Sequence, residues 1–164
     1  MAAEYFASLK PSVWTVVVEA ESVPKTHVGS GAMRFVTSGG GNEPIGNRII
    51  VVPQDEARAH SRDPKSGFVD YVPVGSIARG EALVKTGGGG RTTPCAFCHG
   101  PSYKGLGDWP PLAGRSPIYI VRQLNDMQRG ARSGGSTALM KGVVEKLTMD
   151  DMIAIAAYLG SLEP

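Results

Sequence analysis

Residues 92–102 read Thr-Thr-Pro-Cys-Ala-Phe-Cys-His-Gly-Pro-Ser, and the five at the centre, Cys95-Ala96-Phe97-Cys98-His99, decide the fold. Two thiols three residues apart share one side of a helical turn, and an imidazole follows the second directly. This spacing lets two sulfurs reach the two vinyl groups on one edge of a porphyrin, with the histidine beneath the iron as an axial ligand. A zinc site would use the same three groups but needs a fourth ligand, and only His27 and His60 remain as histidines. A thioredoxin-type pair needs a βαβ context, whereas the flanks of this motif read as helix, loop, helix. There are no further cysteines, and a pair this local cannot staple a domain, so a disulfide framework is excluded.

Outward from the motif, the chain reads as helices joined by loops. Ser76 can cap a helix through Ala78, Leu83 and Val84 that stops at Gly87-Gly88-Gly89-Gly90. Ser116-Pro117 is an N-cap followed by proline at the first helical position. Ile120, Leu124 and Met127 then repeat at helical spacing up to Gly130. Thr148-Met149-Asp150-Asp151 opens a last helix with a capping box that uses Asp in place of Glu, and Met152, Ile155, Leu159 and Leu162 share its face.

An iron bound by one histidine in an electron carrier needs a second ligand, and methionine raises its reduction potential. Met127, Met149 and Met152 occupy helical positions suited to core or surface. Met140 stands in Ser136-Thr137-Ala138-Leu139-Met140-Lys141-Gly142, a stretch that reads as loop and can carry a thioether across the second haem face. It is the expected ligand.

Residues 12–74 have another character. Trp14, Val16 and Val18 alternate with Thr15, Val17 and Glu19, as in a strand. Short β-favouring runs at Ile49–Val52 and Phe68–Val72 lie between turn-forming clusters, and 38–46 reads as a turn or flexible loop. Extended chain with a few short strands is expected, without a second independent core. With 22 Gly, 12 Pro and 7% aromatic residues among 164, long irregular stretches fit the composition. The net charge of +2 is too weak to argue for nucleic acid. It hides an asymmetry, because residues 1–74 hold 7 basic against 8 acidic side chains and residues 75–164 hold 10 against 7. The glycine clusters contain no phosphate-binding pattern, and His27 and His60 are expected at the surface.

Four stretches together, CAFCHG at 95–100, WPPLAGRSPIYIVRQL at 109–124, Met140, and LTMDDMIAIAAYLGSL at 147–162, resemble a class I cytochrome c. More narrowly they resemble the dihaem class I cytochromes of bacterial periplasms, strongly over 75–164 and loosely over 12–74. The resemblance implies a mainly α fold: a class I cytochrome c helical domain at 75–164 with an extended, partly β N-terminal arm at 12–74. It implies one covalent haem c, with Cys95 and Cys98 as attachment points and His99 and Met140 on the iron. Pro110 matches the proline whose carbonyl meets the proximal imidazole N–H, a bond that fixes the ring tautomer. Gly80 and Tyr158 match the positions where first and last helices cross. The run TGGGGRTTP before Cys95 is longer than the family's usual link.

The implied function is single-electron transfer, not catalysis, because a six-coordinate iron offers no open position. One alternative is an electron-entry cytochrome module docked to a dehydrogenase or oxidase, with 12–74 as the docking arm. Another is a haem enzyme or sensor with a displaceable Met140. Redox proteins are the expected partners. Lys104, Arg115, Arg122, Arg129, Arg132 and Lys141 would form a basic rim suited to an acidic one.

Tyr5-Phe6-Ala7-Ser8-Leu9-Lys10-Pro11 echoes Tyr158-Leu159-Gly160-Ser161-Leu162-Glu163-Pro164. Residues 1–11 therefore resemble the closing helix of a cytochrome domain that should precede this one. Its apolar end is expected to dock, with a homodimer as one outcome. Covalent haem attachment of this kind implies a periplasmic protein, although the chain opens without a secretory signal pattern.

Overall fold

A computed structural model describes residues 2–164. In chain order it contains α1 (Ala2–Ser8), β1 (Thr15–Ala20), β2 (Ser22–Pro24), β3 (Thr26–Val28), β4 (Arg34–Val36), β5 (Asn42–Pro44), β6 (Ile50–Pro53), α2 (Glu56–His60) and β7 (Phe68–Pro73). The helical part follows as α3 (Ser76–Thr86), α4 (Ala96–His99), α5 (Pro117–Gln128), α6 (Lys141–Val144) and α7 (Met149–Ser161). None of these helices is long and apolar enough to cross a membrane.

The helix that organises the core is α7. Thr148 accepts from the Asp151 backbone N–H while the Asp151 carboxylate accepts from the Thr148 backbone N–H, a complete capping box. From Asp151 to Gly160 every residue is buried, so α7 runs through the centre of the domain with α3 and α5 against it. Met152, Ile155 and Leu159 join Leu83, Val84, Ile120 and Leu124 in one apolar cluster. Each such side chain removed from water contributes about 1.5–3 kcal/mol before conformational entropy is counted.

Gly80 is where α3 and α7 touch. A methyl group there would overlap the backbone oxygen of Ala154 and come within 2.8 Å of Tyr158 Cβ. Gly80→Ala should therefore force the two helices apart, at a cost of about 1–3 kcal/mol or more. The check is denaturant unfolding of the purified protein, where the midpoint should fall; an unchanged midpoint would mean the crossing has slack.

Asp151, fully buried, ties three segments together. It accepts from Arg79 Nη2 on α3 at 2.6 Å and from Arg91 Nη1 in the following loop at 3.0 Å. Burial alone would raise this carboxyl, but hydrogen bonds from the Thr148 backbone and hydroxyl, and then from Arg79 and Arg91, lower it to about 2. The glycine run before the motif is the other half of this arrangement. Gly87, Gly88, Gly89 and Gly90 all lie at positive φ, between 55° and 89°, which lets the chain coil back on itself where other residues would be strained. Arg91 is thereby delivered to Asp151, Thr92 Oγ1 donates to Val143 O at 2.8 Å, and Cys95 N donates to Val84 O at 2.9 Å. The long link thus has a defined path.

The arm differs from its expected form. β1 runs parallel to β7 in register Thr15↔Phe68 to Ala20↔Pro73, and β7 pairs antiparallel with β6, giving the order β1-β7-β6. Val23, Ile45, Ile50 and Val52 form a small apolar cluster on this sheet, joined by Ala20, Val69 and Tyr71. The arm therefore has a core of its own. Ser76 does not cap α3: Gly75 is the N-cap, and the Ile77 N–H is taken instead by Glu19 Oε1 of β1 at 2.7 Å. The arm thus caps the first helix of the helical domain. Thr15 is buried, while Trp14, Val16 and Val18 are exposed.

Within this chain the N-terminal helix buries none of its described residues. Tyr5, Phe6 and Leu9 are all exposed, and the two rings pack edge-to-face on each other at 5.4 Å.

Candidate functional site

Cys95 to His99 form one turn. Cys95 has helical angles as the N-cap of α4, and its carbonyl accepts from Cys98 N at 3.3 Å and His99 N at 3.0 Å. Both thiols are half-buried and unpaired by any disulfide, and Phe97 between them points to solvent. Burial, with the neighbouring Cys98 adding to it, pushes the Cys95 thiol up to about 11. A nucleophilic Cys-x-x-Cys pair requires the opposite shift.

The imidazole of His99 is 7% exposed, and its Nδ1 lies 2.8 Å from the Pro110 carbonyl. A carbonyl can only accept, so Nδ1 carries the proton and Nε2 keeps a free lone pair. The loop between them is built to hold that carbonyl. Gly105 N donates to His99 O at 3.1 Å, Leu106 and Trp109 bond each other through their backbones, and the Tyr103 carbonyl accepts from both Leu112 N and Ala113 N. Tyr103 anchors the loop from inside, buried edge-to-face against Tyr158. Trp109 stands edge-to-face with the His99 ring at 6.3 Å.

Met140 ends a 3₁₀ helix, Gly135–Met140, and is the N-cap of α6. This stretch is more ordered than the open loop its composition suggests. The segment behind it is fastened by Thr92 Oγ1 to Val143 O and by Gln128 Nε2 to Val144 O and Leu147 O, both at 2.7 Å. Cys95, Ala96, Leu112, Met127 and Met140 all pack against the main apolar cluster, so the motif and Met140 share one core. Met127 is half-buried on α5, Met149 is exposed, and Met152 is buried inside the core.

These residues fit a covalently attached haem. The thiols lie one helical turn apart, the adjacent imidazole has its metal-binding nitrogen free, and the surrounding side chains are apolar. Lys104, Arg115, Arg122, Arg129, Arg132 and Lys141 are all exposed, though several are partly engaged. Lys104 Nζ donates to Pro164 O, Arg122 lies over the Tyr119 ring, and Arg132 donates to Gln123. His27 and His60 lie far along the chain in the arm, where His60 stacks on Phe35 at 4.4 Å. The residues that sequence reasoning did not single out here are Trp109, Thr92 and Gln128. A signal for the first was its adjacency to Pro110; the other two act through backbone carbonyls and leave none.

The family model described as Cytochrome c matches residues 77–163. The chain is similar to cytochrome c4 of Pseudomonas aeruginosa, 36% identical over 90 residues that cover 52% of this chain and 45% of that protein. It is also similar to the thiosulfate dehydrogenase electron acceptor of Stutzerimonas stutzeri, 31% identical over 137 residues that cover 76% of this chain and 62% of that one. Among solved structures, Acidithiobacillus ferrooxidans cytochrome c4 superposes with a TM-score of 0.50 at 32% identity, covering 54% of this chain and 50% of that chain. The chain spans about half the length of the cytochrome c4 relatives it matches.

Proposed function

The chain belongs to the cytochrome c family, whose domain implies covalent haem c with its iron, and we propose that it carries single electrons through one such haem. In this reading Cys95 and Cys98 form the thioether links, and His99 and Met140 are the axial ligands. When bound, haem c supplies the one-electron couple of its iron. The chain's own residues set the conditions for that couple. Pro110 accepts the Nδ1 proton of His99, which holds the ring in one orientation and makes Nε2 a stronger donor. Met140 offers a soft thioether, which favours the reduced ion and raises the potential. The apolar cluster around Leu83, Val84 and Leu159, on which Cys95 and Met140 pack, would exclude water from a haem held there.

The observation that carries this reading is the 2.8 Å contact between His99 Nδ1 and Pro110 O, in a turn that also presents both thiols. It leaves on the imidazole a single free nitrogen of the kind a metal needs. The test is a coulometric titration of the purified haem-loaded protein followed in the visible spectrum. One electron per chain should pass reversibly, with a sharp c-type α-band in the reduced form. Two electrons per chain, or no reversible couple, would overturn it.

A second reading has one observation in its favour. The match to the thiosulfate dehydrogenase electron acceptor covers 76% of this chain, so it reaches beyond the haem domain into the arm. Here the chain is the electron-entry module of a dehydrogenase and the arm takes part in docking. Either role suits the periplasm, the compartment that covalent haem attachment implies, and redox proteins as partners. The exposed basic side chains around 104–141 suit an acidic face on such a partner. The exposed Tyr5, Phe6 and Leu9 suit contact with a preceding cytochrome domain or a second copy.

A further inference from the structure

The arm and the haem domain enclose something the electron-carrier reading does not use. Between the inward face of the β1-β7-β6 sheet and the start of α5 lies a half-open cavity of about 360 Å³. At its base is Asp70 of β7, 1% exposed. One carboxylate oxygen, Oδ2, accepts from the Thr15 hydroxyl. The other, Oδ1, is buried and has no hydrogen-bond partner among the described residues. A buried carboxylate oxygen without a donor costs about 1–3 kcal/mol or more, so this atom marks a place for one.

The walls narrow the choice of donor. Trp14 and Phe68 line the cavity with their rings 5.9 Å apart and tilted at 43°. Ile49, Val51 and Ile118 supply hydrocarbon. A positive N–H group against aromatic faces, with an aliphatic tail on apolar walls, satisfies all three surfaces at once. We propose that this cavity is a binding site for a primary alkylammonium group, received by Asp70 Oδ1 at the base and by the Trp14 and Phe68 rings on the wall.

The charges around Asp70 are few. Arg34 of β4 lines the cavity and donates to Thr26 Oγ1 at 3.1 Å, which holds its guanidinium toward the exposed hydroxyl of β3. Glu19, farther along the inward face of β1, is engaged by the Ile77 N–H. The residues that β6 and α5 present, Val51 and Ile118, and Ile49 and Ser116 beside them, do not titrate. Burial pushes the Asp70 carboxyl up to about 7. An ammonium ion binds the carboxylate and not the acid, so its affinity is full above that value. Below it, affinity should fall by about tenfold per pH unit.

The experiment uses the reduced, haem-loaded full chain, followed by amide chemical shifts with n-butylammonium as probe. Saturable shifts are expected at Thr15, Phe68, Asp70 and Ser116, with a Kd on the order of 1 mM. The uncharged isostere n-butanol should give none, and Asp70→Asn should weaken binding at least tenfold and remove its pH dependence. Nα-acetyl-lysinamide distinguishes the source of the ammonium: equal affinity points to a partner's lysine, much weaker affinity to a free small amine. Should Asp70→Asn fail to fold, the pH profile of the unmodified chain between pH 5 and 9 decides. Equal response to n-butanol, unchanged binding by Asp70→Asn, a flat pH profile or no saturable shift would each overturn the site.

Discussion

A chain carrying both Cys95→Ala and Cys98→Ala should retain no haem after acid–acetone extraction, whereas the unmodified chain should keep it all. The expected change is from complete to none, because on the proposed reading the two thioether bonds would be the sole covalent hold on the haem. A noncovalent hold through His99 would not keep haem through extraction into acid and organic solvent. Single replacements should keep haem through the surviving sulfur. Cys98→Ala should also loosen the ring near His99, its immediate neighbour in α4. The structure gives a reason to expect folding trouble as well. Cys95 and Ala96 pack against the central cluster beside Leu112 and Met140, so loss of the cofactor leaves apolar surface on all of them uncovered. Haem that extracts freely from the unmodified chain would defeat the covalent reading. So would stoichiometric zinc without haem in protein made with the cytochrome maturation machinery.

The parts of the molecule that were legible from sequence are those in which cause and effect lie within one turn of chain. Cys95, Cys98 and His99 define their own spacing, and the Thr148–Asp151 capping box closes between residues three apart. Pro117 starts α5 for an equally local reason, its fixed φ, with Ser116 at the N-cap position making no side-chain bond. What escaped was set by distant partners. Ser76 has the right chemistry for a cap, yet α3 is capped by Glu19, 58 residues earlier, because β1 brings that carboxylate to the helix end. The alternation in β1 marks a strand without naming its partner, and the parallel pairing with β7 places buried Thr15 against Asp70. The alternation within one strand does not say which other strand, some 50 residues away, lies beside it.

The same distinction runs through the site. The turn that holds the thiols is local and was readable. The bond from Asp151 to Arg79 and Arg91 joins three segments and was not, although the capping box showed half of it. The link before Cys95, longer than the family pattern, takes its path from a run of positive-φ glycines that delivers Arg91 to Asp151. Its extra length therefore places one of the two arginines that satisfy a buried carboxylate in the core.

Met140→Ala should erase the weak near-infrared sulfur-to-iron band of the oxidised protein and lower its reduction potential. Thioether sulfur is soft and favours the reduced ion, so its removal favours the oxidised one. Axial ligands move haem potentials across about 0.8 V in all, so a fall of at least about 0.1 V is expected from this single change. Four methionines lie downstream of the motif, and their positions set the controls. Met152 is inside the core on α7 and Met149 is exposed at its start, so neither is a candidate on burial alone. Met127 is the real competitor, half-buried on α5 and packed on the same cluster as Met140. The backbone separates the two. Met127 sits within a regular helix whose axis packs on α7, so its reach is fixed by that packing. Met140 ends a 3₁₀ turn that glycines precede, with the following residues pinned by Thr92 and Gln128. That arrangement holds the Met140 backbone beside the cluster on which Cys95 and Ala96 also pack, as a side chain that would ligate the iron requires. Met127→Ala should accordingly cost stability and leave the band in place. The reverse pattern, band lost with Met127→Ala and kept with Met140→Ala, would move the sixth ligand to α5.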